Sequence, residues 1–195
     1  GIGDHAGYGI TNGTRNTTVG YASMQCTSTG NDNVAAGHYS LHCNTTAAQN
    51  VAVGACSLYA NTTGAQNTAV GHGALYSNGY AHSNTAVGQC ALRNNCCSGA
   101  KENVAVGVQA LLSNCAGCRN VAVGPSSLQC NTSGVRNQAF GGWALRRNTT
   151  GSNNTASGYY ALNCNTTGGS NVAYGHYALR NNTAGANTAI GTNSA

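Results

Sequence analysis

Cysteine is the residue type with the greatest chemical potential in this chain. Ten cysteines occur among 195 residues, and this density is typical of a disulfide framework in an oxidising, extracellular setting. Cys115 and Cys118 form a Cys-x-x-Cys pair, an arrangement that can chelate zinc or activate a thiol. Because disulfides elsewhere would place the protein in an oxidising compartment, bridges are favoured over a metal. We expect no metal site and no cofactor.

Asparagine in Asn-x-Ser/Thr sequons is the second chemical signal. If the producer is a eukaryote or a eukaryotic virus, N-linked glycans would emerge in a row along one edge, because five sequons share one turn position. Alternatively, Asn-Thr-Thr is simply favourable turn chemistry. The candidate acceptors are Asn12, Asn16, Asn44, Asn61, Asn131, Asn148, Asn153, Asn165 and Asn181.

Catalytic combinations are missing from the sequence. The only carboxylates are Asp4, Asp32 and Glu102, which are too far apart in sequence to suggest the acid/base pair of a glycosidase or the carboxylate of a Ser-His-Asp triad. Seven arginines and Lys101 are scattered and form no basic stripe for nucleic acid. We therefore expect neither an enzyme nor a nucleic-acid-binding protein.

A repeat of 17 residues determines where all these side chains must lie. An asparagine opens each repeat, and a glycine follows four residues later, as in Asn50 and Gly54. The spacing is 17 throughout, except for 19 after Asn84 and 16 after Asn171. An unbroken short period of this kind predicts a solenoid whose repeats are stacked coils. The opening asparagines are Asn16, Asn33, Asn50, Asn67, Asn84, Asn103, Asn120, Asn137, Asn154, Asn171 and Asn187.

Each repeat predicts a strand, a bend, a second strand and a turn. Asn-Val-Ala-Val-Gly is typical of a short strand closed by a glycine bend, Ala/Ser-Leu predicts the second strand, and Asn-Thr-Thr-Gly predicts the turn. Stacked coils would form parallel ladders about 4.8 Å apart, with an amide ladder along the opening asparagines. We expect an all-β parallel β-solenoid of about 11 coils. We expect it to form one array over 1–195 that is truncated in mid-repeat at both ends.

Both faces of the first strand are apolar, so both should be covered. Alanines such as Ala52 would pack against the leucine column, while Val51 and Val53 face the other way. The valine face then requires another chain in a trimer or a neighbouring rod in a fibre. The alternative is that the valines line a wider core and the alanines face outward.

The repeat register sorts the cysteines by height along the stack. Cys26 and Cys43 occupy one corner of consecutive coils, a separation that suits a disulfide. Cys96 and Cys97 lie in the enlarged turn of the Asn84 repeat, and Cys115 and Cys118 lie in the corresponding turn of the next repeat. Two further disulfides could connect these two turns. Four others are two coils from their column neighbour, about 9.6 Å away. These four are candidates for links between subunits, or are free: Cys56, Cys90, Cys130 and Cys164.

The pattern Asn-x-Ala-Val-Gly-x-x-Ala-Leu-x-x-Asn-Thr-Thr-Gly, seen best at 50–66 and 67–75, carries a family resemblance. It resembles the YadA-like head repeat of trimeric autotransporter adhesins and related repeats of phage tail fibres. The resemblance covers nearly the whole chain and implies left-handed β-roll coils, usually trimeric, displayed as a stalked adhesive or structural fibre. The family's repeats are usually shorter and poorer in cysteine.

Together these patterns favour a non-enzymatic extracellular structural protein. We expect a subunit of a disulfide-stapled, glycosylated fibre assembled by head-to-tail stacking of coils. Its partners would be copies of itself, head-to-tail or lateral, together with covalent glycans, and it would not insert into a membrane. Only 6% of the residues are charged, which leaves amides, hydroxyls or sugar to keep the surface wet. The alternative is a trimeric adhesin head or phage tail-fibre shaft that binds a cell-surface receptor.

Overall fold

The computed structural model describes residues 1–195 and is a β-solenoid of about ten turns. Eleven strands of three residues pair in parallel, in sequence order, as one sheet. Each residue lies beside its equivalent in the next repeat, as Ala52 lies beside Ala69, and the predicted all-β parallel solenoid is confirmed. The strands are β1 (Thr17–Val19), β2 (Val34–Ala36), β3 (Val51–Val53), β4 (Thr68–Val70), β5 (Thr85–Val87), β6 (Val104–Val106), β7 (Val121–Val123), β8 (Gln138–Phe140), β9 (Thr155–Ser157), β10 (Val172–Tyr174) and β11 (Thr188–Ile190).

The core is a column of alanines packed against a column of leucines. The central alanine of a strand, such as Ala52, is fully buried, and so is Leu58 on the opposite side of the coil. The residues flanking that alanine point outward because side chains alternate along a strand. The interpretation with alanines inward is confirmed, and the alternative with valines lining the core is wrong. The residue directly before the leucine is also buried and small, as in Ala74 and Ser57.

The bend after each strand depends on backbone that favours glycine. Gly54 has φ 122°, a conformation that residues with a Cβ atom rarely adopt. A Cβ atom added there would lie 2.8 Å from the carbonyl carbon of Gly71 in the next coil. The glycine column therefore serves both the turn and the close approach of neighbouring backbones.

The predicted second strand is wrong, because the Ala/Ser-Leu segment is a run of turns. Residues with positive φ, in the left-handed region, alternate along it with residues of negative φ. Cys56 with φ 56° and Leu58 with φ 50° are two of the left-handed residues. Hydrogen bonds between coils nevertheless continue there: Cys56 N–H donates to His38 O at 2.9 Å, and Leu58 N–H donates to Ala74 O at 3.0 Å. The chain therefore turns at this segment while the backbone hydrogen bonds between coils are kept.

The opening asparagines form the amide ladder that the sequence predicts. Asn67 Nδ2 donates to Asn50 Oδ1 at 3.2 Å and to Ala81 O at 2.9 Å. Asn67 Oδ1 in turn accepts from the backbone N–H and Nδ2 of Asn84, at 3.0 and 3.3 Å. These side chains are fully buried, and buried amides are tolerated because their hydrogen-bonding groups are paired. The ladder thus closes one side of the core with polar groups.

A second amide ladder runs beside the first and was not predicted. Asn78 of this ladder and Asn67 of the first both donate from Nδ2 to Ala81 O, each at 2.9 Å. Asn61 Nδ2 donates to Asn44 Oδ1 at 3.1 Å and to Gly64 O at 2.9 Å. Asn61 Oδ1 accepts from Asn78 Nδ2 at 3.0 Å, and the same pattern recurs along the stack. The Asn-Thr-Thr segment is therefore a turn whose asparagine points into the protein.

Candidate functional site

The outward strand face is a continuous surface that runs along all eleven strands. It consists of the first and third residues of every strand, which lie in two parallel columns with no charged side chain. Its valines are partly exposed, for example Val53 at 39% and Val87 at 36%. The two columns are Thr17, Val34, Val51, Thr68, Thr85, Val104, Val121, Gln138, Thr155, Val172, Thr188 and Val19, Ala36, Val53, Val70, Val87, Val106, Val123, Phe140, Ser157, Tyr174, Ile190.

This face can bind a matching surface but has no catalytic group. Its rungs repeat at the strand spacing of about 4.8 Å, and its side chains offer methyl groups and hydroxyls. Removing apolar area from water is the main driving force of protein association. The chemistry available here is therefore packing against another regular, uncharged surface.

Aromatic side chains form two columns beside the glycine bends, and their rings stack on each other along the axis. Tyr59 and Tyr76 have ring centroids 5.0 Å apart with planes 5° apart, and the Arg93 guanidinium lies 5.1 Å from the Tyr76 ring centroid. The first column contains His5, Tyr8, Tyr21, His38, Tyr39, His42, Tyr59 and Tyr76. The second column contains Trp143, Tyr159, Tyr160, His176 and Tyr177. Because neighbouring rings cover the faces within a stack, these columns fit coil-to-coil packing better than sugar stacking.

Burial and neighbouring groups disfavour ionisation within the first aromatic column. Desolvation raises the pKa of Tyr59 and lowers the pKa of His42, since burial penalises the charged form of either group. His42 Nε2 lies 3.0 Å from Gln25 Oε1 and its Nδ1 lies 3.4 Å from Cys43 Sγ. Neutral rings are the forms best suited to a stacked, partly buried column.

All ten cysteines carry unpaired thiols in this structure. Cys26 and Cys43 do occupy equivalent positions of consecutive coils, since Cys26 N–H donates to His42 O and Cys43 N–H donates to Tyr59 O. Desolvation is the main cause that raises the pKa of Cys43, and Cys26 adds to it. Their predicted bridge is compatible with the register but stays a prediction.

The four cysteines assigned to separated heights lie where the register puts them. Cys56 and Cys90 have Gly73 between them in the intervening coil, and a Cβ atom on Gly73 would lie 3.7 Å from Cys90 Sγ. Cys130 and Cys164 are likewise separated by the coil that carries Arg147. Direct bridges within these pairs would have to span two coil spacings. Cys90 is the buried member of this group. Links between subunits through Cys56, Cys90, Cys130 and Cys164 stay predictions.

Three cysteines meet where the array has its 19-residue repeat. Cys96, Cys97 and Cys115 place their Sγ atoms within 4.8 Å of one another, and the Sγ atoms of Cys97 and Cys115 are 3.3 Å apart. A hydrogen bond with Cys115 raises the pKa of Cys97, and a hydrogen bond with Cys96 raises the pKa of Cys115. Cys118, the fourth cysteine predicted for this region, does not belong to the cluster. The expected Cys-x-x-Cys unit is therefore not the group that comes together.

Two of the three carboxylates are engaged by arginines one coil away. Arg15 Nη2 donates to Asp32 Oδ2 at 2.8 Å, and Arg119 Nε donates to Glu102 Oε2 at 2.7 Å. These hydrogen bonds lower the pKa of Asp32 and the pKa of Glu102 below their ordinary values. Both pairs are exposed, where ion pairs contribute little to stability. The carboxylates thus link neighbouring coils and form no acid/base pair with each other.

The row of glycans predicted at the turns is incompatible with this fold. The five turn sequons belong to the second amide ladder and are fully buried, and both hydrogens of a side-chain amide such as that of Asn61 are used. A glycan needs Nδ2 and a path to solvent. The five excluded acceptors are Asn44, Asn61, Asn131, Asn148 and Asn165.

The remaining sequons differ in their surroundings. Asn16 belongs to the first ladder, where its Nδ2 donates to Gly30 O at 2.7 Å. Asn12, Asn153 and Asn181 are exposed, and they stay candidate acceptors.

Known proteins do not explain this chain. It matches no family model, no curated protein and no solved structure. Likeness to YadA-like head repeats therefore remains a resemblance based on the motif. The structure contains no helix that could span a membrane.

The second amide ladder is the main feature that sequence reasoning missed. Asn44, Asn61 and Asn78 keep the same 17-residue spacing as the opening asparagines, although Asn78 is followed by Gly79 and is no sequon. When a repeat position keeps its asparagine although the Ser/Thr of the sequon is absent, the asparagine side chain itself is indicated to have a structural role. That signal was present in the sequence at Asn78, Asn95 and Asn114.

Proposed function

We propose that this chain is a structural rod of an extracellular fibre, and that rods pack side by side through the outward strand face. The observation that carries the proposal is the continuity of that face: two columns of apolar and hydroxyl side chains run along all eleven strands without a charge. Isolated exposed valines are ordinary on a soluble protein, but a contiguous apolar surface marks an interaction site.

The dimensions of the face suit self-association at high local concentration. Eleven strands at about 4.8 Å and three residues at about 3.3 Å give an area of about 500 Å². Two copies would bury about 1,000 Å² in total, which is near the lower limit for a specific interface. A single pair of rods should therefore associate weakly, whereas rods aligned in a fibre would share many such contacts.

A second copy of this chain is the partner whose geometry matches best. Side chains that repeat at the strand spacing interdigitate along their whole length only with a surface of equal spacing. Another copy has that spacing because it has the same sequence and fold. Its face also lacks charge, so no Coulomb repulsion opposes contact. The face can thus be covered in register by itself.

Head-to-tail stacking is the second element of the proposal. Every coil donates hydrogen bonds to both neighbouring coils through the same positions, as Val51 N–H donates to Asn67 O of the next coil and Gly54 N–H donates to Ala36 O of the previous one. A coil presented by another copy could continue this pattern, because unpaired strand edges readily add a strand. The rod would then grow along its axis while its faces pack laterally.

Charge placed on the outward face tests the lateral contact. The variant Val19→Lys/Val53→Lys/Val87→Lys puts three like charges two coils apart on this face. Sedimentation velocity over a concentration series should show wild-type rods associating and this variant remaining monomeric, with at least a tenfold weaker association constant. The expected cause is repulsion between facing lysines together with the cost of burying them.

A matched variant controls for net charge. Thr29→Lys/Thr63→Lys/Ser133→Lys adds the same charge at exposed turn positions away from the face. This variant should associate like the wild type. Equal loss of association in both triple variants, or a wild type that stays monomeric in the most concentrated samples and in electron micrographs, would contradict the proposed packing.

A trimeric adhesin head or phage tail-fibre shaft is the second candidate. The same uncharged face favours it, because three copies around an axis would also cover the face and give a closed assembly. Mass distinguishes the two functions. A soluble particle of three copies at every concentration supports the trimer and a role in receptor binding, whereas assemblies of increasing length and width support the fibre.

A further inference from the structure

The thiol cluster is built by the one enlarged repeat of the array. In the ordinary repeat that follows, Asn114 Nδ2 reaches Gly117 O three residues on, whereas in the enlarged repeat Asn95 Nδ2 reaches Ala100 O five residues on. The two additional residues therefore lie in this turn, which contains the adjacent Cys96 and Cys97.

The surroundings hold these thiols in place. Cys97 N–H donates to Cys115 O at 3.0 Å, so the enlarged turn is tied to the turn below it. Asn114 Nδ2 donates to Asn95 Oδ1 at 2.9 Å and anchors the base of both turns in the buried ladder. Cys96 and Cys97 are exposed and Cys115 is half-buried. The cluster is therefore fixed at its base and open to solvent at its top.

We propose that Cys96, Cys97 and Cys115 form a three-thiolate binding site for Cu(I). Their Sγ atoms lie within 4.8 Å of one another, so small rotations would bring all three to a common ion. Sulfur ligands without imidazole or carboxylate favour Cu(I), Zn(II) and iron–sulfur clusters. Structural Zn(II) sites and iron–sulfur clusters are held by four protein ligands, and this cluster offers three.

The site is independent of the proposed assembly. Its thiols lie in two adjacent turns, away from the outward strand face, and no residue of the cluster belongs to a strand. Binding would need reduced thiols and would release their protons to solvent as the thiolates coordinate the ion. Bound copper would link two consecutive coils at the place where the array is interrupted.

Competition for Cu(I) under anaerobic conditions tests the site. The reduced full-length chain is titrated with Cu(I) in the presence of bicinchoninate, a chromophoric Cu(I) chelator, and the bound equivalents are measured. We expect the wild type to withhold one equivalent that Cys97→Ser, Cys96→Ser and Cys115→Ser lose or bind at least tenfold more weakly. Circular dichroism of each variant checks that the solenoid is folded.

Two matched variants make the assignment falsifiable. Cys164→Ser removes a thiol three repeats away from Cys115, and Cys118→Ser removes the cysteine outside the cluster that is nearest to it in sequence. Both variants should keep the full equivalent. X-ray absorption of the loaded wild type should show three sulfur neighbours. The proposal is overturned if Cys118→Ser loses the ion like Cys97→Ser, if only two sulfurs are found, or if the wild type withholds no more copper than Cys97→Ser.

Discussion

At the scale of single residues, the two asparagine columns are the polar counterpart of the alanine and leucine columns. An amide is the only neutral side chain that offers two N–H donors and a carbonyl acceptor, so it can bond to its own kind above and below and to the backbone beside it. Asn67 uses all of these possibilities. The stack therefore specifies asparagine at these positions as strictly as it specifies small or branched apolar residues in the core.

Removing one amide from the ladder should be costly. In Asn67→Ala, the buried backbone N–H of Asn84 loses its partner, while Ala81 O keeps only the hydrogen bond from Asn78 Nδ2. An unsatisfied buried group costs about 1–3 kcal/mol, so we expect a loss of about 1–3 kcal/mol in the free energy of unfolding, measured by urea denaturation. Asn12→Ala changes an exposed asparagine and should be neutral within about 0.5 kcal/mol. Similar losses in both variants would show that the ladder does not stabilise the fold.

At the scale of elements, the bends depend on left-handed residues. The structure has 32 residues other than glycine with positive φ, and none of them is valine, isoleucine or threonine, although these three types are common elsewhere in the chain. Two branches on Cβ clash with the backbone in this conformation. The absence of β-branched residues at these positions is the sequence's only clear mark of the left-handed turns.

A β-branched residue at one of these positions should destabilise the coil. Gln49 has φ 62° and an exposed side chain. A change in unfolding free energy at this position therefore reports the backbone conformation and not core packing. We expect Gln49→Val to lose about 1–2 kcal/mol of unfolding free energy, since left-handed backbone is costly for such residues. Gln49→Asn should remain within about 0.5 kcal/mol of the wild type, because asparagine tolerates this region. Equal stabilities by urea denaturation would contradict the explanation.

Sequence reasoning succeeded where residue type and backbone state are tightly linked. The Asn-x-Ala-Val-Gly segment predicts strand, register and the inward alanine because alternation leaves one small residue between two larger ones. It failed at Ala/Ser-Leu, because leucine and alanine are compatible with a strand and their left-handed backbone depends on tertiary hydrogen bonds. It also assigned Asn61 to the surface, because a sequon and a turn look alike when the direction of the side chain is unknown.

At the scale of the whole molecule, each coil contacts only the coils directly before and after it. No strand packs against any strand other than its neighbours in the stack. Stability should then be a sum of similar nearest-neighbour terms, as in other repeat proteins. A consequence is that a complete repeat can be removed without changing any kind of contact, provided that the register is kept.

Deletion of residues 67–83 should therefore leave a folded, shorter rod. Gln66 would continue directly into Asn84, so that Val51 faces Thr85 instead of Thr68, and each of these pairs is of a kind already found in the sheet. We expect an unchanged far-UV circular dichroism spectrum per residue and cooperative melting. Deletion of residues 67–75 is the matched control, since it moves asparagine and glycine out of their columns and should abolish folding.

The two cysteines on either side of the deleted coil report directly on the register. Cys56 and Cys90 are two coils apart in the intact chain, with Gly73 between them. In the protein lacking 67–83 they would be about 4.8 Å apart on consecutive coils, within reach of a disulfide. Mild oxidation followed by peptide mass spectrometry should yield a Cys56–Cys90 bridge only in that protein. A folded deletion protein that never forms this bridge would mean that its coils close in a different register, and that the columns do not determine how the solenoid stacks.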